Sequence, residues 1–401
     1  MKPPAPRDRL PNAPLWLLAL ITFSGTLGMH IFVPALPFAA SDLGAGIGEM
    51  QLTISLYILG LAVGQLIYGP LSDRFGRRPT LMVGLSIYVV AGLVSAVVPD
   101  AHSLIAARLF QALGGCAGMV LGRAIVRDTS TADASARRLA LLGLVVSIGP
   151  GLAPVVGGAL ASTLGWRSIF YFLCAMGVAT LVCSWRFLPE TGRVGAHASA
   201  ATLMRHYIQL LRSPAFLGYA FGGGCTTTAG YAFISAAPFI FVNELHRPAY
   251  EVGLYLGSLV VGGTLGVGLA SRLIGSVPMQ QLLVRASAGG VVATLVFLGA
   301  VLLHQVSVAS VMVPLFVYMF CSAMGSPASV TLAISVNTRV IGSASGLYGF
   351  IQMLIGAVCT ALVGLGRDPA LSAAIILAVA GVMGQIAYAI AERSARHESA
   401  G

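Results

Sequence analysis

Gly69–Pro70–Leu71–Ser72–Asp73–Arg74–Phe75–Gly76–Arg77–Arg78–Pro79 places four charged side chains in eleven residues. Apolar stretches flank it on both sides, at 51–70 and 80–98. Each is close to the roughly 20 residues that a helix needs to cross a bilayer. Apolar, charged, apolar at this spacing predicts a pair of membrane-spanning helices joined by a short basic turn. Working outward, the pattern recurs along the chain. Expected spans are 15–37, 51–70, 80–98, 103–126, 138–162 and 167–188, then 215–241, 250–271, 279–303, 308–336, 343–366 and 369–391. The longest polar stretch, Pro189 to Pro214, separates six spans from six. The expected organisation is an N-terminal six-helix bundle (1–188), a linker on the inner side (189–213) and a C-terminal six-helix bundle (214–401). The fold class is an all-α membrane protein.

Composition excludes the main alternatives. Of 401 residues, 57% are apolar and only 9% are charged, against roughly 25% charged in soluble domains. A water-soluble enzyme, a disulfide scaffold and a disordered chain all need a more polar surface. The net charge of +10 reads as loop charge in a membrane protein, so nucleic acid is not an expected partner. Cys116, Cys174, Cys183, Cys225, Cys321 and Cys359 all fall in apolar stretches without CxxC spacing, and are expected to be packing residues. The stretch from Leu15 is too long for the apolar core of a secretory leader and is expected to persist as a span.

Basic residues fix the orientation. With the N-terminus inside, seventeen Arg or Lys fall on the inner side, and only Arg167, Arg247 and Arg367 fall outside. This bias predicts that both termini are cytoplasmic. Arg108, Arg123 and Arg285 fall within spans. The halves also echo each other. Ala35–Leu36–Pro37–Phe38 matches Ala236–Ala237–Pro238–Phe239, and Tyr57, Gly64, Leu71 and Arg74 recur as Tyr255, Gly262, Leu269 and Arg272. Parallel repeats of this kind are one known transporter plan, with the substrate site between the halves.

The opening stretch resembles the G-x-L-x-D-R-x-G-R-R signature of the major facilitator superfamily. Arg108–Leu–Phe–Gln111–Ala–Leu–Gly114 is similar to the R-x-x-Q-G motif of that superfamily's drug/proton antiporters. Gly149, Ala153–Pro154 and Gly157–Gly158 resemble the antiporter motif of span five, with Ala153 in place of a glycine. Pro34–Ala–Leu–Pro37, Arg123–Ala–Ile–Val–Arg127–Asp128, Ser235–Ala–Ala–Pro238–Phe239 and Gly342 through Met353 are similar to the Bcr/CflA drug-resistance branch. The resemblance implies twelve transmembrane helices in two pseudo-symmetric six-helix bundles, the major facilitator fold. The branch often carries an acidic residue in span one; aligned on the prolines, His30 stands there instead.

The site residues follow from motif and chemistry. Asp73, Arg74, Gly76, Arg77, Arg78 and Asp128 are expected to form an inner gate, which the resemblance implies holds the halves together when the outer side is open. Asp73 could also accept from the free N–H groups at the start of span three; a generic topogenic loop is the plainer reading. Arg108 lies inside a span, where it faces a partner or cavity, or snorkels to the outer headgroups. Gln111 shares its face. Proton coupling falls to His30, because the unperturbed pKa of a histidine lies near neutral, with Asp42 and Arg108 as further candidates; a neutral His30 bonded to a neighbouring helix is the alternative. Gly149, Pro150, Pro154, Gly157 and Gly158 allow close approach and bending, and the resemblance implies a seal between the halves. Met29, Arg108, Gln111, Met119, Tyr231, Phe233, Tyr318 and Met319 are expected substrate contacts, Met and aromatic groups suiting varied apolar ligands. Each could equally be ordinary packing.

These features predict a proton-coupled exporter of small amphipathic compounds in the bacterial inner membrane, working by alternating access. Its partners are a small-molecule substrate, protons and the lipid bilayer, with the chain acting as a monomer. No Gly-x4-Gly-Lys loop is present, so ATP is not the expected energy source, and no cofactor or metal is expected. The absence of carboxylates from the middle of the spans favours neutral or anionic substrates over organic cations. A transporter of one physiological solute, such as an amino acid or sugar, and a non-transport membrane receptor or enzyme are the competing readings.

Overall fold

The computed structural model describes residues 13–130, 132–192, 200–337 and 340–400. Lys2, Arg7, Arg9, Arg193 and Arg339, counted above for orientation, lie outside the described residues, as does the side chain of Arg396. The regular structure among the described residues is helical. The first six spans are Leu15–Leu43, Ile47–Phe75, Arg77–Val97, Ala101–Thr129, Ala132–Leu164 and Arg167–Phe187. A short helix, Ala200–Leu211, follows in the linker. The second six are Pro214–Glu244, Ala249–Leu273, Met279–Leu302, Val308–Ser335, Ile341–Gly364 and Pro369–Ala400. Eleven of these meet the length and apolarity of a crossing helix among the described residues; the fifth, of 33 residues, completes the twelve.

Two local readings need correction. The first span was expected to end at Pro37. Instead the helix pauses after His30, turns once through Val33–Ala35, and resumes as Leu36–Leu43. Both prolines sit in first turns, where a missing N–H removes no helical bond. The opening motif is likewise not a loop. The second span continues through Pro70 to Phe75, and the third starts at Arg77. Gly76 alone makes the corner, at φ 96° and ψ 155°, a region that side chains with a Cβ rarely enter.

Each half packs around small residues. Gly60 and Gly64 of the second span receive Ala112 and Cys116 of the fourth, and Gly114 lies against the third-span backbone at Tyr88. The fourth span starts at Asp100, whose carboxylate accepts from the Ser103 N–H at 2.9 Å. Those bonds hold the Asp100 carboxyl below its usual range. The outward surface is apolar, with Val292 60% and Val313 63% exposed, as lipid contact requires and water would penalise.

Candidate functional site

The halves meet along two seams, and both are shut towards the outer ends, the ends of the spans that the basic-residue bias assigns to the outside. At the outer limit of the first seam, Gly48 of the second span and Gly364 of the eleventh bring backbone against backbone. Further in, the Ser55 hydroxyl donates to the Ala357 carbonyl at 2.7 Å, and the Gln65 amide lies over Gly349. On the second seam, Gly253 and Gly257 of the eighth span meet Pro154 and Gly151 of the fifth, and Gly158 meets Ala249 and Tyr250. Gly149, one turn further in than Ala153, instead meets Thr26 and Phe23 of its own half. Gly157 has no room for a Cβ, because the Ile31 carbonyl occupies that place. The pause in the first span and the small-residue run of the fifth therefore fit each other.

His30, the last residue before that pause, is 4% exposed. Its ring centroid is 6.1 Å from that of Tyr231 in the seventh span, so it lies on the interface between halves. Among the described residues it has no hydrogen bond or ion pair, which removes the reading of a histidine bonded to a neighbouring helix. Two residues earlier, the Gly28 carbonyl accepts from Arg108 Nη2 at 2.9 Å. Arg108 is fully buried. Its Nη1 donates to Gln111 Oε1 at 2.7 Å, and the guanidinium lies over Tyr57 at 4.0 Å, with Phe32 and Phe170 at 5.5 and 5.7 Å. Arg108 is thus held by a carbonyl, an amide and three aromatic faces, with no carboxylate. It does not snorkel. Arg108 Nε and Gln111 Nε2 lack partners, so this buried network retains spare donors. The second half repeats the arrangement with a neutral group: Tyr318 of the tenth span donates to the Thr226 carbonyl of the seventh at 3.2 Å.

At the inner side, Arg77 pairs with Asp73 at 2.6 Å and with Asp128 at 2.9 Å. The free N–H groups at the start of the third span do not go to Asp73, as the sequence suggested. Arg77 N and Arg78 N donate to Glu190, at 2.9 and 3.1 Å. A Cβ on Gly76 would strike the same carboxylate at 2.7 Å. Asp73 lies on the closing turn of the second span, one turn from Arg77, and is spent on the side chain. Arg78 adds a bond to the Trp185 carbonyl at 2.6 Å, and Arg74 lies 5.1 Å over the Phe75 ring. The bonds of this cluster stay within the first half and the start of the linker. The linker helix packs on the other side: His206 Nδ1 and the Ser343 hydroxyl of the eleventh span are 3.4 Å apart.

Residues 18–360 match the family model described as Major Facilitator Superfamily. The chain belongs to the Major Facilitator Superfamily. An uncharacterised MFS-type transporter of Bacillus subtilis (strain 168), YdgK, is 31% identical over 395 residues, 96% of each chain. A chloramphenicol resistance protein of Pseudomonas aeruginosa is 37% identical over 180 residues, 45% of this chain and 43% of that one. The multidrug transporter MdfA of Yersinia pestis bv. Antiqua (strain Angola) is 25% identical over 343 residues, 84% of this chain and 83% of its own. Among solved structures, a D-xylose–proton symporter superposes with a TM-score of 0.75 at 15% identity, covering 94% of this chain and 96% of that one. An inward-facing bacterial homologue of the human lysosomal transporter Spinster gives 0.74 at 16%, covering 95% and 96%. These structural likenesses establish the superfamily fold. The protein is a multi-pass membrane transporter and not an enzyme.

Within this superfamily fold, several expected wall residues sit elsewhere. Phe233 packs edge-on against Phe241 and Phe297 of its own half. It is two residues from Tyr231, about 200° round the helix, so the two cannot share a face. Tyr318 is buried beside Thr226, Ser287 and Cys321 inside the second half. Arg108 and Gln111 lie inside the first half and touch no open space in this state. Met29 is buried as well. Tyr231, Met119 and Met319 keep partial exposure. Asp42 is at the outer rim, ion-paired with Arg167 and accepting from Trp166 Nε1 at 3.1 Å. Glu190 was missed, because nothing in the sequence ties it to a helix start 113 positions away. Gln65, Ser55 and Gly48 were missed for the same reason, although a glycine four residues past Gly44 in an outer turn was a usable signal.

Proposed function

We propose that this transporter is a proton-coupled secondary exporter of small amphipathic drugs or metabolites, in the Bcr/CflA-type drug-resistance branch of its superfamily. It works in the bacterial inner membrane with both termini cytoplasmic and one chain as the functional unit. Residues 1–188 and 214–401 act as the moving bundles, and 189–213 tether them. The names of two relatives, one for chloramphenicol resistance and one for multidrug transport, support the substrate class. The observation that carries the coupling is the position of His30, on the interface, against Tyr231 and two residues from the carbonyl that anchors Arg108. Opening the outer seams parts His30 from Tyr231 and brings its ring to the outer water. Closing them returns it to the interior. A histidine that changes sides with the seam can exchange one proton per cycle. Asp42 remains at the outer rim throughout and serves the entry of protons. The Asp73–Arg77–Asp128 cluster and the fifth-span glycines set the balance between the two states.

The experiment is proton flux in proteoliposomes carrying an interior pH dye, started by adding chloramphenicol. The expected result is alkalinisation or acidification coupled to substrate movement in the natural protein. It should fall at least about tenfold in His30→Ala and His30→Gln at unchanged protein level. Full coupling in His30→Ala removes His30 from the mechanism; no flux with any of a panel of amphipathic drugs removes the exporter reading.

A further inference from the structure

The fourth span carries a second internal cation, which neither seam nor gate uses. Arg123 lies six residues before the inner end of that span, Thr129. Helix register shows which way it faces. Ala112, Cys116, Met119 and Arg123 follow one stripe at intervals of four, three and four residues. Ala112 and Cys116 on that stripe meet the second span, and Met119 lies against Gly25 of the first. The lipid side is elsewhere. Ala106 and Phe110 border an open groove with Val90 and Val94 of the third span, roughly 100–140° round the helix from Arg123 at 100° per residue. Arg123 therefore points inward, yet its side chain is exposed. The seams are held at the far end of the spans, by Gly48 on Gly364 and Gly158 on Ala249, so this exposed side chain near the other end is reached from the side that the basic residues assign to the cytoplasm.

Two further features make it a binding group. The fourth span runs from outside to inside, and side chains on a helix tilt towards its N-terminus. Arg123 thus leans towards the middle of the bilayer and away from the inner headgroups. Its Nε donates to the Met119 carbonyl at 3.1 Å, one turn nearer the middle, which opposes snorkelling. Both terminal amino groups are without a partner among the described residues. Among the described residues, every carboxylate carried by a span lies in a terminal turn of its membrane-crossing stretch, and none lies in the middle. Asp128, the nearest acid on the helix, is five residues on, about 140° round the helix, and taken by Arg77. A guanidinium fork with two free N–H edges matches the two oxygens of a carboxylate or sulfonate. Met119, one turn away and partly exposed, offers an apolar surface for the rest of the molecule.

We propose that Arg123 is the loading site for an amphiphilic anion, a small molecule with an apolar, preferably aromatic, body and one carboxylate-type group. The proposal deepens the exporter reading by naming the charge class of its cargo. The test is equilibrium binding of 2-naphthoate to the full-length protein in nanodiscs, without any gradient. Saturable binding is expected for the natural protein. Arg123→Gln and Arg123→Ala should weaken it about tenfold or more, with Arg123→Lys in between because it keeps the charge and loses the fork. Arg272→Gln, exposed at the end of the eighth span in the other half, should leave it unchanged, whereas Arg127→Gln, one turn from Arg123 on the same face, should weaken it less than Arg123→Gln does. Tetraphenylphosphonium should compete poorly with the natural protein and better with Arg123→Gln. Thermal unfolding of each variant separates lost binding from lost fold, and Arg123→Lys supplies the answer if the neutral variants do not fold. Equal naphthoate affinity in natural protein and Arg123→Gln, no saturable binding to the natural protein, or tetraphenylphosphonium binding as tightly as naphthoate would each overturn the proposal. Because no gradient is present, failure of export in vesicles does not bear on this result.

Discussion

Arg77 reaches two carboxylates with its side chain, while its backbone N–H is taken by a third. That third group, Glu190, receives four backbone N–H bonds, from Arg77, Arg78, Thr191 and Gly192. It ties the start of the third span to the chain just beyond the sixth. A carboxylate at a helix N-terminus meets both its free donors and the positive end of its dipole. Glu190→Ala is therefore expected to lower stability by about 1–2 kcal/mol, read as a fall in the unfolding midpoint of the purified protein in detergent, with Glu190→Gln between the two. An unchanged midpoint in Glu190→Ala would show that the cap is not formed. Arg108 offers the opposite lesson about charge. Its motif was readable, and burial was a fair inference from a cation inside a span. What surrounds it was not, because Tyr57, Phe32 and Phe170 come from three other helices whose relative rotation no local pattern records.

The first and fifth spans interlock at the level of single residues. The first pauses at Ile31–Phe32, and the fifth presents Gly157 to the Ile31 carbonyl at that pause. Adding one methyl at Gly157 places it inside the volume of a backbone oxygen, which cannot swing aside as a side chain can. Gly157→Ala is expected to force the two spans apart and to cut transport at least about tenfold, while Gly151→Ala, with ordinary contact distances to Val260, should retain most of it. Vesicle transport at matched protein levels checks this. Equal activity of the two variants would mean that the interlock has no part in the cycle. Span number and approximate placement were legible, since the bilayer asks a minimum length of every crossing stretch; the limits were not, as the first span runs on to Leu43 and the second from Ile47 to Phe75. The pause was not. Pro34 and Pro37 signal a stop in most contexts, and only packing against the fifth span turns that stop into a restart. The same limit explains Phe233, assigned to the cavity by span and placed in the core by its face of the helix.

On the scale of the whole molecule, the two bundles touch along both seams at one end of the spans, and Arg123, near the other end, is exposed. The repeat between halves was visible in matched fragments. The asymmetry was only partly visible, because Arg108 and Tyr318 perform the same tie, fourth span to first and tenth span to seventh, with a charged group in one half and a neutral one in the other. On the proposed coupling, that difference puts the charge-dependent part in the first half. His30 then links it to the second through Tyr231. The most direct measurement is the distance across the outer face, between spin labels at His102→Cys and Gln305→Cys in nanodiscs, with the six free native cysteines replaced by serine, taken at about pH 6 and pH 8.5, on either side of the ordinary histidine pKa. The account expects a short and a longer population whose ratio changes with pH in the natural background and stays fixed in His30→Gln. A single distance at both pH values, or an identical pH response in His30→Gln, would contradict it.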